Sequence, residues 1–132
     1  MKLLLDTHFV VWISHTPERL RPREFELLER SDIELCVSAL TVWEIRLKWG
    51  KRHASGDRKG EVSAASVLAY LERMDWQLID LSVADAAADL RDPVVTKDPF
   101  DEQLLIQAQQ LGARLLTRDK HLQDHPLAWR FT

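Results

Sequence analysis

A chain of 132 residues that is 45% hydrophobic and 30% charged, with only four Gly and five Pro, is long enough to bury a core of its own and is neither a disordered nor a fibrous sequence. Its formal net charge of −3 supplies no overall cationic surplus for a polyanion, and its single cysteine, Cys36, has no intrachain partner, so a reducing compartment, the cytoplasm, is expected. No internal repeat or linker divides it, and one domain over residues 1–132 is expected.

The opening Met1-Lys2-Leu3-Leu4-Leu5-Asp6 is too short an apolar run for a signal peptide or a membrane span. Leu3 to Leu5 instead predict a buried strand ending on Asp6-Thr7-His8, and Phe9, Val10, Val11, Trp12 and Ile13 predict a helix up to Thr16-Pro17. Arg21 to Arg30 reads as a surface helix with Phe25, Leu27 and Leu28 as its apolar stripe. Ile33 to Val37 is a second strand. A helix capped by Ser38 or Thr41 follows it, carrying Leu40, Val42, Trp43, Ile45, Leu47 and Trp49 to Gly50, with Glu44 inside its apolar sector.

Residues 51–62 read as an exposed loop, and Ser63 opens an amphipathic helix through Val67, Leu68, Leu71 and Met74. Trp76 to Leu81 is a third strand containing Asp80, and a helix from Ser82 through Leu90 ends near Pro93. In Lys97-Asp98-Pro99-Phe100-Asp101-Glu102, Asp98 suits an N-cap, Pro99 the first helical position, and Asp101 and Glu102 the positive end of the dipole. That helix continues through Leu104, Ala108 and Leu111 to Gly112. Arg114 to Thr117 is a fourth strand, followed by Asp119, a short helix and a last edge strand at Trp129-Arg130-Phe131. The five tryptophans and four phenylalanines are assigned mostly to the core, with Trp49 and Leu47 as candidates for partner surface.

Strands separated by one or two helices imply parallel pairing with crossover helices on both faces. The fold expected is a three-layer α/β/α domain with a mostly parallel central sheet of four or five strands, and in such sheets the site lies outside the carboxyl ends of the strands. Asp6 ends the first strand, Glu44 lies in the first turns after the second, and Asp119 follows the fourth. Asp101 starts the helix that runs back to begin the fourth strand, so four carboxylates from four segments reach one edge.

Carboxylates crowded in this way hold protons or a cation. An oxygen-only set suits Mg²⁺ or Mn²⁺, ions that recruit substrate phosphates, and the inferred activity is metal-dependent phosphodiester hydrolysis. Two histidines, His121 and His125, are four apart but are assigned to the surface, and His8 to a packed or hydrogen-bonded role. The six cations between Arg46 and Lys59, with Arg46, Lys48, Lys51 and Arg52 foremost, are candidates for guiding substrate phosphates or for contacting a partner.

Four pieces in order, Leu-Leu-Leu-Asp6-Thr7-His8, Ser38-Ala39-Leu40-Thr41-Val42-Trp43-Glu44-Ile45, Asp98-Pro99-Phe100-Asp101 and Leu115-Leu116-Thr117-Arg118-Asp119, span essentially the whole chain. In this pattern the sequence resembles the PIN-domain ribonucleases, in particular the VapC toxins of type II toxin–antitoxin pairs. The resemblance implies a PIN fold, Mg²⁺- or Mn²⁺-dependent endonucleolytic cleavage of RNA to 5′-phosphate and 3′-hydroxyl ends, a homodimer, and inhibition by a cognate antitoxin. It implies Asp6, Glu44, Asp101 and Asp119 as catalytic and metal-binding residues, Asp98 in a supporting role, and Thr7, Ser38 and Thr117 as hydroxyls that orient the carboxylates.

Similar sequences often carry His before the Asp-Pro-Phe-Asp segment and Arg after it, where Thr96 and Glu102 stand here. This departure motivates an alternative, a catalytically weak or inactive PIN-like protein acting through RNA or partner contacts. A phosphotransferase or receiver-like domain ranks below both. An aspartyl phosphatase needs an Asp where His8 stands, and a receiver needs its key Asp at the end of the middle strand, whereas Asp80 reads as lying inside a run.

Overall fold

The computed structural model describes residues 1–132. Strand β1 (Lys2–Leu5) leads through Asp6 into α1 (Thr7–His15), and a 3-10 turn (Pro17–Arg19) and α2 (Pro22–Leu28) complete the first crossover. The second consists of β2 (Glu34–Ser38), α3 (Ala39–Gly50) and α4 (Ala64–Arg73). The third runs from β3 (Gln77–Ile79) through α5 (Val83–Ala87) and α6 (Pro99–Leu111) to β4 (Arg114–Leu116). The strands lie in the order β3-β2-β1-β4 and every pair is parallel, which matches the expected sheet at its lower strand count.

The two-residue period of a strand explains the two cores. Leu3 and Leu5 of β1, Val37 of β2 and Leu116 of β4 enter one core with Phe9 and Val10 of α1, Leu27 of α2 and Val67 and Leu71 of α4. Leu4, Cys36 and Leu115, one residue out of phase, enter the other with Leu104, Leu105 and Ala108 of α6. Because β1 is central and covered on both faces, three consecutive leucines are needed there, and all three are 0% exposed.

Helix starts are set by side-chain caps. Asp6, Ser38, Ser63 and Asp98 each accept a backbone N–H at the head of α1, α3, α4 and α6. Gly112, at φ +64°, ends α6 in the left-handed conformation and turns the chain into β4.

Four expectations are corrected. The helix after Ser82 stops at Ala87, because Val83 is exposed and no apolar stripe anchors it; Leu90 reaches the second core from irregular chain instead. Asp80 immediately follows the short edge strand β3 instead of lying inside it. No strand forms at Trp129 to Phe131, and residues 118–128 hold turns instead of a helix. Leu115 N–H donates to the Leu127 carbonyl and Trp129 N–H to the Leu115 carbonyl, a single parallel bridge beside β4. Of the tryptophans and phenylalanines, only Phe9 is fully buried; Trp12, Trp76, Phe100, Trp129 and Phe131 lie along core margins, Trp49 is half-buried beneath Arg58, and Trp43 and Phe25 are exposed.

Candidate active site

In this topology the carboxyl edge of the sheet collects the residues that follow β1, β2 and β4, together with the start of α6. Pairing of β1 with β4 extends to Asp6, whose N–H donates to the Leu116 carbonyl at 3.0 Å, so the Asp6 side chain is fixed at the strand mouth. Its Oδ2 accepts a hydrogen bond from Thr117 Oγ1 at 2.6 Å, and its Oδ1 accepts the His8 N–H at 3.4 Å. Thr117 Oγ1 also accepts the Asp119 N–H at 3.0 Å, so one hydroxyl ties the Asp6 carboxylate to the backbone of Asp119. Asp119 Oδ1 accepts the His121 N–H at 2.8 Å, the ordinary capping role of an aspartate at a turn.

Thr7, next to Asp6, reaches across to α3. Its Oγ1 donates to Glu44 Oε1 at 2.6 Å, and Lys48 Nζ stands 3.9 Å from Glu44 Oε2, one helical turn further on. Asp98 accepts the Phe100 N–H at 2.9 Å while its own N–H donates to Thr96 Oγ1 at 3.1 Å. Thr96 therefore serves the cap of α6, and Glu102 is an exposed member of its first turn.

Asp101 is the electrostatic centre. Burial first, and then the charges of Asp98, Asp6, Asp119 and Glu44, push its carboxyl from 3.8 up to about 7, with nothing opposing them. Five acids from four segments thus bear on one another.

No three of them, with or without a His or Cys, stand at the spacing of a closed metal cage. The donor set still fits a hard cation. It is all oxygen, its repulsion is unrelieved at Asp101, and Mg²⁺ takes only one or two carboxylates directly while keeping several waters.

Ser38 lies apart from the acids. Its hydroxyl caps α3 through the Leu40 N–H at 3.0 Å and donates to Gln107 Oε1, so it joins β2 to α6 and orients no carboxylate of the cluster directly. Among the cations that are candidates for guiding phosphates, Lys48 faces the site, Lys51 is exposed at the end of α3, and Arg52 donates to the Gly56 carbonyl at 2.8 Å. Arg46 is turned away to a groove with Trp43, Leu68 and Leu78, since two residues along a helix is more than half a turn. His8 is exposed and stacked on Trp12, His121 is exposed, and His125 is buried between the Asp92 carbonyl and the Leu127 N–H.

Sequence reasoning missed two supports. Glu24, 1% exposed, takes Arg118 Nε at 2.8 Å and Arg118 Nη2 as a second bond, while the Arg118 guanidinium lies 4.2 Å from the Trp12 ring centre. Burial alone would raise the Glu24 carboxyl, but Arg118 and the Arg21 N–H hold it below the ordinary range. The other is Gln107, fully buried, whose Nε2 donates to the Asp80 carbonyl and to Asp85 Oδ2, each at 3.2 Å. An amide inside Leu104-Leu105-Ile106-Gln107-Ala108 was its signal.

A parallel α/β/α sheet with acids from four segments gathered at its carboxyl edge defines an acidic-site α/β protein. The family profile described as PIN domain matches residues 3–126, and the chain belongs to the PIN-domain family. It is similar to Ribonuclease VapC22 of Mycobacterium tuberculosis (strain ATCC 25618 / H37Rv), with 27% identity over 126 residues that cover 93% of this chain and 91% of that protein. In fold it is similar to the crystal structure of VapBC2 from Rickettsia felis bound to a DNA fragment from their promoter. The TM-score is 0.62 at 15% identity, covering 97% of this chain and 96% of that one.

Proposed function

We propose that residues 1–132 act as one PIN domain, an endoribonuclease toxin that cleaves RNA to 5′-phosphate and 3′-hydroxyl ends with Mg²⁺ or Mn²⁺. The observation that carries this reading is the convergence of Asp98, Asp6, Asp119 and Glu44 on Asp101, a cluster whose charge calls for a cation. Similarity to a VapC ribonuclease supports RNA as the substrate. Asp6 and Asp101 are the principal ligands, with Glu44 and Asp119 beside them. A divalent ion held there would activate water and stabilise charge on the leaving oxygen.

The chain's own groups prepare that chemistry. Thr117 holds Asp6 in one orientation and Thr7 holds Glu44, which fixes the ligands before substrate arrives. Lys48 places a cation at the edge of an otherwise anionic site, where an RNA phosphate must approach.

The protein works in the cytoplasm as a homodimer and is silenced by a cognate antitoxin. A peptide segment of that partner fits the apolar groove of Val42, Trp43, Leu68, Leu71 and Leu78, and Trp43 meets Phe100 of α6 at 5.2 Å, so the groove leads toward Asp101. Antitoxin contacts confined to the opposite face would contradict this placement. No helix of the protein is long and apolar enough to cross a membrane.

The direct test incubates RNA with wild-type protein and with Asp6→Asn, each with Mg²⁺, Mn²⁺ or EDTA. Metal-dependent cleavage by wild type alone, with 5′-phosphate ends, is expected. Folded wild type that cuts nothing would sink the enzymatic reading and leave a binding protein in its place.

A further inference from the structure

On the Thr117 side of the acids, a cleft of about 300 Å³ is lined by Arg21, Arg23, Arg118, Arg130 and Phe131 as well as Thr117 itself. It continues past Trp129 and Phe131 into a second cleft of about 410 Å³ that reaches Arg30. The topology explains the juxtaposition. The chain at Ala128 runs parallel to β4, so the residues after it advance toward the carboxyl edge and meet α2 there. The Arg23 guanidinium lies 4.5 Å from the Phe131 ring centre, Arg30 lies 5.8 Å from that of Trp129, and the two aromatic rings meet edge to face at 6.4 Å.

These cations are not all committed. Arg118 is held by Glu24 and Arg30 by Asp32, but Arg21, Arg23 and Arg130 pair with no carboxylate. Arg130 donates only to the Asp124 carbonyl, at 2.9 Å. Glu24, Asp124 and Glu26 also line the clefts and oppose them, and the buried Glu24 carboxylate, though bonded to Arg118, feels the charge of Arg21 as well.

We propose that this arginine–aromatic surface, running from Thr117 to Arg30, is a binding track for single-stranded RNA flanking the point of cleavage. Unpaired guanidiniums supply phosphate affinity that the acidic site lacks, and aromatic and guanidinium planes offer stacking that any base can use. The track begins at the hydroxyl that holds Asp6, so a strand leaving the acids on this side enters it directly. An acidic peptide would use the charges but not the alternating rings. This inference rests on the ribonuclease reading for the identity of the ligand.

The test uses the full chain with Asp101→Asn, to prevent cleavage, and a fluorescent single-stranded RNA oligonucleotide. Combined Arg23→Ala and Arg130→Ala should weaken binding about tenfold and reduce the slope of log affinity against log salt by about 1.4, two phosphate contacts at roughly 0.7 each. Arg73→Ala with Arg91→Ala, an equal charge change elsewhere, should leave both unchanged. Phe131→Ala should weaken binding about tenfold and Phe131→Trp should retain it. Circular dichroism confirms that each variant is folded, and lysines at 23 and 130 keep the charge if the alanine pair is not.

Equal losses in both arginine pairs, or RNA binding that survives while only antitoxin binding falls, would overturn the track. Arginine-sensitive binding by a protein whose wild type cuts no RNA would uphold the track and sink the cleavage reading. Absence of any RNA binding by wild type would overturn both.

Discussion

Replacing Asp101 by Asn should stabilise the metal-free protein at high pH. An unfolded Asp titrates at 3.8 and Asp101 in the folded chain at about 7, so between these values the folded state holds the extra proton. Raising the pH then favours unfolding: the penalty is absent below 3.8, grows through the interval, and is complete above about 7. At 1.36 kcal/mol per pH unit the gap corresponds to at most about 4 kcal/mol, and screening of a side chain in partial contact with water brings this to about 2 kcal/mol. Urea unfolding in EDTA at pH 4 and pH 8 measures it, with each variant compared to wild type at the same pH so that other groups cancel. Asp101→Asn should gain about 2 kcal/mol more at pH 8 than at pH 4, and Mg²⁺ should raise the stability of wild type but not of the variant. A pH-independent difference would refute the reasoning that burial, together with the surrounding acids, penalises the Asp101 carboxylate.

Three further outcomes follow from the supports of the site. Thr117→Val removes the hydroxyl shared by Asp6 and Asp119, and should lower metal affinity about 10- to 100-fold by calorimetry while changing stability far less. Glu24→Gln leaves Arg118 without its carboxylate and should destabilise by about 3 kcal/mol at pH 7. Because the Glu24 carboxyl lies below its ordinary 4.5, its contribution is present above that pH and lost as the pH falls through the folded value, so the variant's deficit should shrink in acid. Gln107→Leu removes the acceptor of the Ser38 hydroxyl proton and one of the donors to Asp85, and should lower stability by about 2 kcal/mol in denaturant titrations without moving the metal affinity of the acids.

What the sequence disclosed was local. Three leucines closed by an aspartate fit a doubly covered strand with a polar residue at its mouth, and Asp98-Pro99 carries the chemistry of a helix start at adjacent positions. Parallel topology then placed Asp6, Glu44, Asp101 and Asp119 at one edge without knowledge of any side-chain contact. Hidden features depended on long-range partners. Glu24 and Arg118 are 94 residues apart and look like two ordinary surface charges, and Gln107 needed Asp85 and Ser38 before its burial made sense. Helix α5 was overread because Val83, Ala86, Ala87 and Leu90 fit a helical period, yet exposure of Val83 left that period without a surface to pack on. The tail was misread as a strand because Trp129 and Phe131 carry β propensity, whereas only one bridge joins it to β4 and its rings pack against arginines instead.

The central claim, that this acidic edge is a divalent-cation site serving RNA cleavage, is tested most directly by anomalous diffraction from crystals soaked in Mn²⁺. A peak within coordination distance of Asp6 and Asp101, lost in Asp101→Asn, is the expected result. Crystals that bind Mn²⁺ elsewhere, or nowhere, while the same protein cleaves RNA in Mn²⁺, would contradict the account.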